Sequence, residues 1–186
     1  MTPNAEQALA LHRKYRSNDR TVSHCQACAK ISKLLSARAL EHGHPVNETA
    51  AVAGALLHDI GRSQIQSVNH GYVGASILEK EGVDRVVVEI VKRHVGAGIS
   101  SEEAVALNFP PGDYIPRTLE EKIVCFADKL LDGDKARPFE EEVKRFVKKG
   151  HDVQRLRKLK EDVDAAVGAD AEALILSRPG VDSGIA

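Results

Sequence analysis

From Thr49 to Leu57 the chain carries no charged residue, and it then runs directly into His58-Asp59-Ile60-Gly61. With Asn47 placed to cap its start, this stretch predicts a helix that protein must surround on every side. Asn47-Glu48-Thr49 also spells a glycosylation sequon, but the capping role accounts for the asparagine. The rest of the sequence offers helices to do the surrounding. No stretch shows the apolar and polar alternation of a half-buried strand, so the expected fold is all-α, a helical bundle.

Helices are predicted over about residues 4–16 and from Arg20 to Glu41, the second ending at the His42-Gly43-His44-Pro45 break. Gly61 is available for a left-handed cap, and Arg62 to Val68 reads as a loop. Asn69 is a candidate cap for a helix to about Lys80, and Asp84 for one to about Val95, where Gly96 and Gly98 end it. Residues 96–116 contain Pro110, Pro111, Gly112 and Pro116. That segment holds at most a short helix and is expected to fold over one end of the bundle. A helix through LEEKIVCFADKLL follows, then an Asp132-Gly133-Asp134 turn. A helix beginning at Pro138 has Glu140 to Glu142 in its first turn, Lys148-Lys149 in its last, and Gly150 as its stop. An amphipathic helix (Val153, Leu156, Leu159, Val163), a short helical piece and a Pro/Gly-containing tail complete the chain.

A length of 186 residues suits one core with a modest extension, and residues 138–186 read as accessory to a unit spanning 1–137. His24, His58 and Asp59, His94 and Asp128 recur every 34 or 35 residues, but their flanks are not self-similar, which excludes a solenoid. A formal net charge of -1 argues against a nucleic-acid-coating surface. The longest apolar run, AAVAGALL, is far short of a membrane span. Three cysteines form no disulfide framework, and MTPNAEQALALHRKYR lacks a signal-peptide core, so the cytoplasm is the expected compartment.

The chemistry lies in what the apolar faces carry. Val83, Val86, Val87, Ile90 and Val91 form a stripe whose next member is His94. His24 shares a face with Cys28, Ile31 and Leu35, and His70 one with Val73, Gly74 and Ile77. Asp128 lies one turn from Val124 and Leu131, at the edge of its helix's apolar face. A buried unpaired carboxylate costs several kcal/mol, so Asp59, ending an uncharged helix, demands a cation or donors. His24, His58, Asp59 and Asp128 make a minimal metal set. His70 and His94 extend it to six, enough for a second ion bridged by Asp59. Mixed imidazole and carboxylate donors suit a divalent transition metal (Fe, Mn, Co, Ni or Zn), as one ion or two. For an anionic substrate, Arg62 and Lys129 are the nearest bases of choice, with Arg137 a third candidate and Lys92-Arg93 read as a solvated face. His12, His42, His44 and His151 are expected at the surface, and the Cys25/Cys28 pair as small core residues.

His24, then LLHDIGR with His58-Asp59, then FADK with Asp128, resembles the ordered H, HD, D signature of the HD superfamily of metal-dependent phosphohydrolases, over roughly Val22 to Arg137. The resemblance implies a bundle with a central metal site. His70-Gly-Tyr-Val-Gly-Ala, and Arg93-His94-Val-Gly before FADKLLDGDKARPF, resemble bacterial HD hydrolases that split dinucleoside tetraphosphates symmetrically at a di-iron centre. There His70 and His94 match extra metal ligands and Arg137 a phosphate-contacting arginine, although the intervening turn and the C-terminal extension depart from that group. The implied activity is hydrolysis of a phosphoester or phosphoanhydride of a small, nucleotide-like substrate by a metal-activated hydroxide. Asp59 would hold the metal while Lys129 and Arg62 stabilise phosphate oxygens. Rivals are a one-metal nucleotidase or cyclic-phosphodiester hydrolase, a di-iron oxygenase on the same scaffold, and a non-catalytic nucleotide-binding regulatory module. Homodimerisation and nucleic-acid contact stay open, the latter not indicated by charge.

Overall fold

The computed structural model describes residues 1–177, and the expected tail, 178–186, lies outside the described residues. The chain is a helical bundle built around the charge-free segment. Helix α1 (Ala5–Lys14) opens on a capping box between Asn4 and Gln7, and α2 (Asp19–Glu41) on the Asn18 side chain. Helix α3 (Glu48–Leu57) starts where the Asn47 side chain accepts the Ala50 amide at 3.0 Å. Its Ala50, Ala51, Ala53, Ala55, Leu56 and Leu57 are all buried, with α1, α2, α5 (Arg85–Arg93) and α7 (Leu119–Lys129) packed around it. Small side chains permit that crowding: a Cβ on Gly54 would come within 2.5 Å of Ile90 Cγ2.

Helix α4 (His70–Lys80) packs beside α5. Residues 96–117 between α5 and α7 form a cap containing one short helix, α6 (Ser101–Ala106), held by a Ser100/Glu103 capping box. The cap has its own small core of Ile99, Ala104, Phe109 and Tyr114, joined by Tyr72 and Val95. A two-stranded hairpin, β1 (Leu131–Asp132) and β2 (Lys135–Ala136), follows α7 and is the one strand pair among the described residues. Helices α8 (Phe139–Lys149), α9 (Val153–Val167) and α10 (Ala171–Leu176) come last. Leu156, Val163, Val167 and Ile175 belong to the same continuous core as Ile31, Leu35 and Ile123, with α9 lying against α2 and α7. Among the described residues no helix is long and apolar enough to cross a membrane.

Several local expectations are corrected. Gly61 is not left-handed. It sits in a 3-10 turn (Ile60–Ser63) and is needed for space, because a Cβ there would lie 2.0 Å from the His70 carbonyl oxygen. Asn69 and Asp84 precede α4 and α5 without capping them by side chain. Asp84 instead accepts the Met1 amine and the Thr2 hydroxyl, each at 2.5 Å. On α5, Val88 faces inward and Val86 is exposed. His12 is buried, bonded to the Leu56 carbonyl at 2.7 Å and to Ser17 Oγ at 2.8 Å. Arg93 is buried too, donating to the Asp113 and Ile115 carbonyls at 2.7 and 3.1 Å, so it anchors the base of the cap.

Candidate metal centre

Five separate elements deliver six side chains to one point. His24 comes from α2, and His58 and Asp59 from the end of α3. His70 is the first residue of α4, His94 the residue that terminates α5, and Asp128 lies in the last turn of α7. The tight approach of the 3-10 turn to α4 that Gly61 permits sets the turn that follows Asp59 against the His70 backbone.

The four imidazoles share one hydrogen-bond pattern. Nδ1 lies 2.6 Å from the Gly133 carbonyl in His24, 2.8 Å from Ala55 in His58, 2.8 Å from Ser67 in His70 and 2.7 Å from Val91 in His94. A carbonyl only accepts, so each Nδ1 carries a hydrogen and each ring turns its Nε2 inward, where it offers a lone pair to a cation. These lone pairs converge with the carboxylates in two groups. In one, His24 Nε2 is 3.1 Å from His58 Nε2 and 2.9 Å from Asp128 Oδ1, and Asp59 Oδ2 lies 4.0 and 3.8 Å from the two imidazole nitrogens. In the other, His70 Nε2 is 3.0 Å from His94 Nε2, and Asp59 Oδ1 lies 3.1 and 3.5 Å from them. Asp59 therefore addresses one oxygen to each group. Its Oδ1 is buried without a well-formed hydrogen bond.

Lone pair facing lone pair at 3 Å is repulsive until a cation stands between, so the donor set fits divalent metal. Three overlapping trios (His24, His58, Asp59; His58, His94, Asp128; Asp59, His70, His94) bring one ligand atom each within 4.8 Å of the others. The ionisation pattern agrees. Burial alone would raise both carboxyls, but the imidazoles around Asp59, and Lys129 with His24 beside Asp128, hold both well below the usual carboxylate range. Burial and neighbouring imidazoles push His58 down to about 3, and burial lowers His94. Burial also works against a charged His24, yet the Asp128 carboxylate overrides it and raises the ring to about 9. A proton there takes the part that a metal would play.

A pocket of about 480 Å³ opens onto this cluster, with His70, His94, Asp128 and Lys129 in its wall. Both preferred bases flank the ligands: Arg62 Nε is 2.7 Å from Asp59 Oδ2 and Lys129 Nζ 2.5 Å from Asp128 Oδ2. Each also lines the pocket. Arg137 is not brought there. It is buried behind the wall, donating to the Leu131 carbonyl at 3.1 Å and pairing with Glu142. The far wall consists of residues that sequence reasoning passed over, including Glu103, Arg145, Phe146, Lys149 and Arg155. No local pattern marks them, since their common surface exists only after α8 and α9 fold back on the bundle. Cys25, Cys28 and Cys125 are buried and free, in keeping with a packing role.

Residues 21–132 match the family described as HD domain, and the chain belongs to that family. It is 42% identical over 144 residues to an uncharacterised protein of Methanocaldococcus jannaschii, spanning 77% of this chain and 85% of that one. It is 41% identical over 174 residues to a protein of Thermoplasma volcanium named tRNA (cytidine(56)-2'-O)-methyltransferase, and 36% identical over 172 residues to one of the same name from Picrophilus torridus. It spans 92% and 91% of itself in these matches but only 50% and 49% of those two relatives. In fold it is similar to the HD domain of the L. monocytogenes phosphodiesterase PgpH, with a TM-score of 0.53 at 16% identity, covering 85% of this chain and 96% of that one. For the same domain in complex with cyclic-di-AMP the TM-score is 0.56 at 15% identity, covering 91% and 97%.

Proposed function

We propose that this protein is a metal-dependent phosphohydrolase that cleaves a phosphoester or phosphoanhydride of a nucleotide-like substrate at a two-metal centre. The observation that carries the reading is Asp59, whose two carboxylate oxygens face two separate histidine pairs. His24, His58, Asp59 and Asp128 would hold one ion, and His70, His94 and Asp59 the other. Bound there, divalent metal supplies Lewis acidity that makes water nucleophilic near neutral pH and offsets phosphate charge.

The protein's own groups supply the rest. Lys129 remains protonated because the Asp128 carboxylate overrides the effect of burial, so it offers a fixed positive charge at the pocket floor. Arg62 is one-third exposed, so that while its Nε holds Asp59 the rest of its guanidinium can meet equatorial phosphate oxygens. Asp59 and Asp128 are thereby fixed from outside the ligand cluster as well as from within.

The names of the two longer relatives favour a substrate drawn from nucleotides or RNA, and we carry that class into the test. The decisive experiment is metal analysis of the purified protein, followed by a hydrolysis screen with each metal restored. The screen covers mononucleotides, dinucleotides, cyclic phosphodiesters and oligonucleotides with terminal phosphates. Asp59→Asn keeps the size but removes the bridge, and turnover should fall by about two orders of magnitude or more with circular dichroism unchanged. Undiminished turnover sinks the mechanism. An iron-dependent, oxygen-consuming reaction that leaves every phosphate compound intact would select the oxygenase reading instead, and tight nucleotide binding with no product under any metal would select a regulatory module.

A further inference from the structure

We propose that Arg155 is a positioning residue that latches the cap over the metal-centre pocket and so sets how firmly the substrate is held, an inference that takes the hydrolase reading as its frame. Arg155 lies on α9, beyond residue 132 where the HD match ends. Its Nη1 donates to the Gly98 carbonyl at 3.0 Å and to Glu103 Oε2 at 2.6 Å, and its Nη2 sits 3.3 Å from Asp152. All four residues line the pocket.

The cap is built as a separate piece. Its small core of Ile99, Ala104, Phe109 and Tyr114 is distinct from the main core. At its base it is fixed by Arg93, and by Glu121 accepting the Arg117 amide at 2.6 Å. At the pocket side, among the described residues, the Glu103 to Arg155 bond is the one hydrogen bond that joins residues 100–107 to a residue outside the cap. The same Glu103 oxygen accepts the Ser100 amide at 2.7 Å, so one carboxylate joins the start of α6 to α9. Gly98 adds a second point: at φ +92 its backbone lies against Ile115 and Pro116, where a Cβ would sit 2.7 Å from each. The carbonyl that Arg155 grips therefore belongs to a wedged residue. A cap with a firm base, a small core of its own that only Tyr72 and Val95 join from outside, and a single side-chain tether over a pocket loosens on its tethered side when the tether is cut.

Hydrogen exchange on the full-length, metal-loaded protein tests this with Arg155→Gln, Arg155→Lys and Glu103→Gln. The glutamine at 103 still serves the capping box but gives up the charge. Losing a charge-assisted bond of this kind should speed exchange across 100–107 about tenfold in Arg155→Gln, with α2 and α3 unchanged. Arg155→Lys should recover part of the protection. Glu103→Gln should behave like Arg155→Gln, and the double variant should add little to either. With a phosphoester that the wild type cleaves, KM should rise about tenfold in Arg155→Gln while kcat stays within about twofold. Unchanged exchange over 100–107, equal loosening of α2 and α3, or a fall in kcat with KM untouched would each overturn the latch. A wild type that cleaves no phosphoester overturns the hydrolase reading, and the exchange comparison still decides the latch.

Discussion

At the scale of single residues, two kinds of inward-turned histidine serve opposite purposes. The four at the candidate metal centre give Nδ1 to the backbone and turn Nε2 inward. His12 has both nitrogens occupied, by Ser17 and by the Leu56 carbonyl, so it is a structural strut. Burial holds its pKa below the ordinary 6.5, so as the pH falls below that value the unfolded chain takes up a proton that the folded chain refuses. The stability attached to neutral His12 is therefore complete above pH 6.5 and is lost as the pH falls toward the folded-state value. Denaturant titrations of wild type and His12→Gln from pH 8 to pH 5 should show the gap between them shrinking below about pH 6.5, by at most about 1.4 kcal/mol per unit. A constant gap would refute the assignment. His24, His58, His70 and His94 were legible in the sequence because each continues an apolar helical face or ends an uncharged one. His12 was not, because its burial is decided by a carbonyl 44 positions away.

Among the secondary-structure elements, the turn after α3 does the most. Gly61 lets the 3-10 turn press against the first turn of α4, where even a methyl group would strike backbone at 2.0 Å. Backbone cannot yield as a side-chain tip can. Gly61→Ala should therefore destabilise the protein by about 3 kcal/mol and reduce bound metal per chain, measured by thermal melts and metal analysis. An unchanged melting temperature with full metal would show that the turn relaxes freely. The helices themselves were readable from periodicity and caps, Asn47 and Gly150 among them. The glycine at 61 misled because its role is spacing rather than handedness. The hairpin of β1 and β2 has two residues per strand, too few for any alternation to register. On α5 the flank of the stripe shifted from Val86 to Val88, because which neighbours cover a helix's edges is settled by α3 and α7.

For the molecule as a whole, the question is what α8 to α10 contribute. Leu156 is fully buried in the core that α9 shares with α2 and α7, which also backs the candidate metal ligands. Leu156→Ala should cost about 2–5 kcal/mol and lower a single cooperative unfolding transition. Two separate transitions, with only the minor one moved, would mean that the C-terminal helices fold apart from the bundle. The far wall of the pocket comes from the same segment, so the one stretch that sequence reasoning set aside faces the candidate chemistry. The four imidazoles of the candidate centre are aimed differently. Their orienting partners are the carbonyls of Ala55, Ser67, Val91 and Gly133, which belong to the main chain and which no side-chain replacement deletes. Aim is thus inherited from the fold, while the pocket's far wall is written in ordinary side chains. Drift on α8 and α9 can therefore reshape what the pocket admits in descendants of such a chain, and the histidine and aspartate cluster need not be rebuilt each time.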